Sequence, residues 1–425
     1  MNAAPPTRAT REERQALLAA AAASFCLLGG YYVLRPIREA LAIEVGIRNN
    51  WLLFLLVLAA SCVMLPGYWW LVRRTPRTRL MWLVNMAFAA AFIALAYGLD
   101  AMPSNRLLAG AYFIALTTFN LLLIAVFWSA MSDVWRPELA KRFYGYVAAG
   151  GSAGAIVGNI VLRNLVVEHG LPPLIIGACL SIVLAAPLVS LARATLRRSA
   201  NGHAVPDGAI PVGGRALDDL KRLATTPYLL GIAGVIVIGQ TIGAGMYNEQ
   251  ARYVESLYPS AVERAAVFAN LEIAVSLLAA FFQVVVVGWL TRRGSVAWSL
   301  SAMPALIGGS FILLALVPTG AVLLVTQVIR RASDYGLGKP PREMLFTVLN
   351  PESKFKSKSL IDTVLQRGGD TVGQGFYLLV QGMGIAGMSW IFALLCGGLL
   401  MSTRVLGRAF EARREQAPGP AGQTA

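Results

Sequence analysis

The chain has 425 residues, of which 56% are hydrophobic and only 14% charged, with a formal net charge of +15; its mean hydropathy is +0.61. Soluble domains carry about 25% charged residues, so these charges are too few to coat a surface against water. Soluble enzyme, disulfide-built secreted domain and disordered chain are poor readings, and an all-α polytopic membrane protein is the expectation.

A membrane span needs about 20 apolar residues. Apolar runs fall at 16–35, 51–72, 80–99, 107–132, 143–163, 171–192, 228–248, 266–290, 297–317, 320–337, 359–381 and 386–404, which predicts twelve transmembrane helices. The first run has no A-x-A end and continues into Tyr31-Tyr32-Val33-Leu34-Arg35, as a spanning helix does and a cleavable signal does not. The longest connection, 193–227, holds Arg197-Arg198, Pro206, Pro211 and Gly213-Gly214 and reads as a flexible cytoplasmic linker. The predicted organisation is therefore a six-helix half at 1–192, the linker, a second six-helix half at 228–410 and a disordered tail at 411–425. This layout resembles that of major-facilitator transporters, built from two parallel repeats.

Lys and Arg segregate by side. The two termini and alternate loops hold 29 of the 37, the opposite loops hold 7, and Arg367 lies within a span. Cytoplasmic loops carry the basic excess, so both termini are expected in the cytoplasm. The basic balance is then a topology signal, and no nucleic-acid partner is implied.

Ionisable groups inside apolar runs are costly and need a partner or a task. In span 1, Arg35-Pro36-Ile37-Arg38-Glu39 sets two arginines three residues apart, able to share a helix face. They read either as snorkelling boundary residues or as a cationic ligand clamp, with Tyr31 and Tyr32 beside them. Asp133 closes span 4, and Lys141 and Arg142 open span 5, a combination that suits a cytoplasmic gate. Gly150, Gly154 and Gly158 recur every four residues in span 5, a stripe for close helix packing. Glu272 and the amides Asn120, Asn159, Gln240, Asn270 and Gln283 line a cavity or bond across helices. Asp334 follows Arg330-Arg331 at the end of span 10, with Lys339 and Arg342-Glu343 beyond. Span 11 holds Asp362, Arg367 and Asp370 beside Gly368-Gly369, and Arg367 and Asp370 are spaced to neutralise each other. The order acid, basic cluster, glycines after span 4 recurs after span 10, a faint internal echo.

The four cysteines, Cys26, Cys62, Cys179 and Cys396, sit singly in apolar runs without CxxC spacing, so neither a metal site nor a disulfide framework is expected. No GxxxxGK[ST], HExxH or GxSxG occurs. The chain is expected to be neither an enzyme nor an ATP-driven pump, and to use no cofactor.

Three segments resemble the nucleotide transporter (ATP:ADP antiporter) family. Tyr31–Glu39 is similar to its N-Y-x-I-L-R-D-x-K-D segment. Phe127-Trp128-Ser129-Ala130-Met131-Ser132-Asp133, with Ala140-Lys141-Arg142-Phe143-Tyr144, resembles F-W-x-x-x-x-E…A-K-[KR]-F-Y. Tyr335 through Val364 aligns without a gap to Y-x-L-x-x-P-x-K-E-M…K-x-K-x-K-x-x-I-D-x-V. The resemblance implies a secondary transporter of a phosphorylated or other anionic solute, nucleotide among the candidates. Arg38 and Arg342 fall on family lysines that engage phosphates, Asp133 falls on a functional Glu, and Asp370 stands where other members have lysine. Substrate contact is thereby expected of Arg35, Arg38, Arg342, Arg367, Asp370, Tyr31 and Tyr32. Gating or coupling is expected of Asp133, Lys141, Arg142, Asp334, Glu343, Asp362 and Glu272. The expected setting is the lipid bilayer of a bacterial inner membrane, with the chain a monomer. Two alternatives stay open: a proton-coupled carrier of a small organic anion, and a sensor or assembly protein without flux.

Overall fold

A computed structural model describes residues 10–75, 77–135, 137–199, 226–287, 296–345 and 365–416. The described chain is helical throughout: α1 (Arg11–Val45), α2 (Asn50–Arg74), α3 (Arg77–Ala101), α4 (Arg106–Val134), α5 (Pro137–His169), α6 (Leu171–Ser199), α7 (Pro227–Leu257), α8 (Ala261–Phe281), α9 (Val296–Leu316), α10 (Gly320–Ser333), α11 (Lys339–Leu345), α12 (Gln366–Val380) and α13 (Gly384–Gln416). Local chemistry starts several of them. Thr10 with Glu13, and Ser260 with Glu263, exchange side-chain and backbone hydrogen bonds as capping boxes at the starts of α1 and α8. Asn105 caps α4 by accepting from the amides of Leu107 and Leu108.

Among the described residues, ten helical stretches are long and apolar enough to cross a membrane, α12 and α13 counting as one through their turn at Gln381–Met383. The predicted spans 10 and 11 are the ones that change. Helix α10 has only 14 residues, and the chain continues through a π-helical turn at Asp334–Gly338 into α11, carrying Asp334, Lys339 and Arg342 with it. Helix α12 starts at Gln366, so Arg367 and Asp370 lie in its first two turns. Asp362 lies outside the described residues, as do most of the predicted linker and residues 417–425 of the predicted tail. Residues 411–416 are helical, as the end of α13. Helix α1 also overruns its predicted end by ten residues, passing through Pro36. Ile37, Ala40, Leu41, Ala42 and Ile43 are all buried beyond the proline, and helices that span membranes keep an internal proline when neighbours support the freed backbone.

Large apolar side chains stand exposed along these helices, among them Leu107, Leu379, Val63 and Leu394. Such surface suits hydrocarbon and not water.

Two compact units are formed. The first comprises Met1–Val45, Cys62–Pro211 and Tyr258–Ile273; the second comprises Gly46–Ser61, Val212–Leu257 and Ala274–Ala425. Two segments therefore differ from the predicted halves, 46–61 and 258–273, and side-chain bonds described below account for both.

In the first unit α1 is the central helix, packed by α4, α5 and α6. Gly150, Gly154 and Gly158 press directly on the backbone of α1: a Cβ at these positions would lie 2.5 Å from the Ala21 carbonyl oxygen, 2.2 Å from that of Phe25 and 2.2 Å from that of Gly29. Both stripes step by four residues, the row spacing along which helices interlock. In the second unit α7 packs on α12 and α13, and α9 packs on α13 and α10. There Gly373 brings α12 onto the backbone of α7, a Cβ lying 2.8 Å from Thr241 Cα. Glycines of spans 5 and 11 thus do similar work, seating α5 on α1 and α12 on α7.

Candidate solute-binding residues

Within the first unit, α1 gathers four of the predicted residues. Arg35 lies 3.5 Å from Glu272 of α8, with side chains 13% and 2% exposed. Its guanidinium stands over the Tyr32 ring at 5.5 Å and donates to Tyr32 Oη at 3.4 Å. Tyr31 meets Tyr32 edge-on at 5.5 Å. Arg38 pairs with the neighbouring Glu39, donates to Thr117 Oγ1 at 3.2 Å and lies over the Phe113 ring at 5.2 Å. Both arginine side chains are 13% exposed and paired with a carboxylate, Arg35 with Glu272 and Arg38 with Glu39. Each has a carboxylate of its own, which keeps two cations tolerable in apolar surroundings.

A second α1–α8 pair lies nine residues further along α1. Arg264 donates to Glu44 at 2.6 Å and to the Tyr258 carbonyl at 2.8 Å. The charges are reversed relative to Arg35–Glu272, and the register runs antiparallel. These two bridges tie the start of α8 to the first unit. Glu44, Arg264 and Thr117 were not legible as part of this group, because partners separated by 79 to 220 residues leave no local spacing to read.

Of the gate residues predicted in this unit, Asp133 lies in the last turn of α4 and Lys141 in the first turns of α5. Arg142 lies over Phe143 at 5.4 Å. Trp128 meets Tyr144 at 5.3 Å.

Within the second unit, Arg367 and Asp370 pair at 3.5 Å, as their spacing predicts, and Gln240 of α7 donates to Asp370 at 2.6 Å. Asp370 begins a polar seam that follows α12 through Gln374, Tyr377 and Gln381, at helical steps of four, three and four. Helix α7 answers each position. Asn248 donates to Gln374 at 2.7 Å, Tyr377 Oη donates to Glu249 at 2.7 Å, and Arg252 donates to Gln381 at 2.7 Å. Asn50, at the start of α2, donates to Asn248 at 2.6 Å, and Phe54 meets Tyr247 at 5.7 Å, which places 46–61 in this unit. Sequence reading singled out Gln240 only as an isolated amide. The signal available was the polar stripe at 3–4 spacing on α12, which glycines and tyrosine dilute.

Arg342 and Asp334 meet elsewhere in the same unit. They line a cleft of about 570 Å³, counted to its open mouth, between α7, α9, α11 and α13. An adjoining hollow shares Gln240 and Asp334 with it and adds Arg330. Glu343 belongs to α11, next to Arg342. Among the described residues no group of three or more His, Cys, Asp or Glu could hold a metal ion.

No family model matches the chain, and no curated protein matches it. Solved structures do. A bacterial homologue of the iron transporter ferroportin superposes with a TM-score of 0.66 at 12% identity, over 95% of this chain and 99% of that one. A mutant of the nucleoside transporter NupG gives 0.60 at 12%, over 95% and 100%. The POT family transporter PepTSo gives 0.60 at 15%, over 96% and 99%. At such identities the likeness is one of fold. The chain is an all-α polytopic membrane protein with the fold of major-facilitator transporters.

Proposed function

We propose that this chain is a secondary transporter that moves an anionic solute across a bacterial inner membrane by alternating access. The observation that carries the reading is the arginine set: Arg35 and Arg38 buried in α1 against Glu272 and Glu39, and Arg342 and Arg367 in the second unit. Buried guanidinium groups hold carboxylate or phosphate oxygens by charge-assisted, planar hydrogen bonds. The resemblance to nucleotide transporters makes a phosphorylated solute the first to try, with Arg38 and Arg342 as phosphate partners and Tyr31 or Tyr32 beside the rest of the solute. Both termini lie in the cytoplasm on this reading, following the basic loops, and the carrier acts as a monomer without a cofactor.

The test is exchange in proteoliposomes, with labelled nucleotides and simple organic anions on opposite sides. Arg38→Ala and Arg342→Ala each lower exchange at least tenfold if these arginines hold the solute. Exchange at the parental rate in both variants removes the assignment.

One observation favours a second reading. Glu272 is a carboxylate only 1% exposed, facing Arg35, and a buried acid of this kind suits proton coupling in a membrane. Proton symport predicts that uptake follows an imposed pH gradient and that Glu272→Gln or Asp370→Asn abolishes this dependence. Gradient-independent exchange in the parent protein favours the first reading.

A further inference from the structure

The cleft at Arg342 has a composition that constrains what enters it. Its wall is aliphatic, formed by Ile232, Ile236, Leu300, Leu345, Leu399 and Leu406. Among the described residues lining it and the adjoining hollow there is no Phe, Tyr or Trp, so nothing there offers a face for stacking a base. Polar groups are few and already engaged: Gln240 gives its amide hydrogen to Asp370, and the Thr403 hydroxyl donates to the Leu400 carbonyl. A nucleobase placed here would bury several donors and acceptors without partners, each at a cost of about 1–3 kcal/mol. The charged end is different. Among the described residues lining the two spaces, the charged ones are Arg330, Asp334 and Arg342, two cations and one anion.

We infer that this cleft binds a singly charged amphiphile, its acidic head at Arg342 and Arg330 and its aliphatic body along the α7–α9–α13 wall. The inference deepens the carrier reading, on which it rests for Arg342 as an anion partner, and it replaces nucleotide by an acid with a hydrocarbon tail. A free fatty-acid-like molecule and a membrane lipid with one negative charge share this chemistry.

Gly239 supplies the test. It lines both spaces, and a Cβ there would meet no atom within 4 Å, so the backbone accepts a side chain there, and Gly239→Leu adds bulk at the cleft. The parent protein in phosphatidylcholine nanodiscs is titrated with a fluorescent polyene fatty acid, which is then displaced by decanoate, by decanol or by ATP. Decanoate should displace the probe at least tenfold better than decanol, and millimolar ATP should leave it bound. Gly239→Leu should weaken the probe at least tenfold at an unchanged melting temperature. Arg342→Gln should erase the preference for decanoate over decanol. Repeating the titration in phosphatidylglycerol nanodiscs separates the sources: a weakened probe marks lipid as the occupant, and an unchanged one marks a free amphiphile. Displacement by ATP, no probe binding, or binding indifferent to both substitutions overturns the inference. Flux in proteoliposomes is read separately: probe binding without flux refutes the carrier and spares the cleft, while flux without probe binding does the reverse.

Discussion

Replacing Gly154 by alanine adds one methyl group where the structure has no room for it. The new Cβ would lie 2.2 Å from the Phe25 carbonyl oxygen, 2.8 Å from its Cα and 2.9 Å from its carbonyl carbon. All three are backbone atoms of α1, so no side chain can rotate away. The closest of them is about 1 Å inside the shortest contact that real Cβ atoms make, and relief requires α5 to lift off the central helix of the unit. Overpacking of this kind costs about 1–3 kcal/mol, offset by up to about 1 kcal/mol because alanine is the better helix former. The net expectation is a loss of about 1–2 kcal/mol, or roughly five- to thirtyfold in the folded-to-unfolded ratio. Gly145, on the same helix, supplies the control: a Cβ there meets nothing within 4 Å, and Gly145→Ala should be neutral or slightly stabilising. The assay is unfolding of the detergent-purified protein, followed by intrinsic fluorescence, with parent and both variants side by side. If Gly154→Ala unfolds together with Gly145→Ala, the backbone contact between α1 and α5 is not what holds this unit together.

Two other substitutions address the buried charges. Glu272→Gln leaves Arg35 without its carboxylate in a site where the pair is 13% and 2% exposed; the expected loss is about 3–5 kcal/mol, nearer the lower figure because Tyr32 still contacts the guanidinium. The double variant Arg35→Gln/Glu272→Gln should recover part of that loss in the same unfolding assay, and a strictly additive double variant would argue against the pair. Tyr377→Phe removes the hydroxyl that donates to Glu249 at 2.7 Å and should cost about 1.5–3 kcal/mol, the range for a hydrogen bond to a charged group; an unchanged melting temperature would show that Glu249 does not depend on it.

How far the sequence could be read depended on the range of each interaction. Spans, the glycine stripe and the Arg367–Asp370 pair were legible because hydropathy, a four-residue repeat and a three-residue spacing are local. Pro36 misled for the opposite reason. Taken locally it stops a helix, and only the burial of Ile37, Ala40 and Leu41 against other helices keeps α1 going to Val45. The partners of Arg35 and Arg38 divide along the same line. Glu39 stands next to Arg38 in the sequence, but Glu272 lies 237 residues from Arg35 and carries no mark of where it packs. Span 10 is helical but not uniform, passing through a π-helical turn at Asp334–Gly338 that hydropathy alone does not mark, and span 11 is described only from residue 365 onward.

Charge balance within each unit orders the candidate residues more sharply than position in the sequence does. In the first unit the two arginines of α1 face two carboxylates, Glu39 and Glu272, so the group is neutral as it stands. An anion arriving there must displace a carboxylate that is itself buried, and the ion pair it breaks offsets much of what it gains. Arg367 is balanced in the same way by Asp370. Among the described residues that line the cleft and its adjoining hollow, Arg330 and Arg342 face one carboxylate, Asp334. Binding an anion there completes a balance and does not disturb one. On that balance, Arg342→Gln should weaken affinity for an anionic solute, read from binding isotherms of parent and variant side by side, and an unchanged affinity would refute the charge argument.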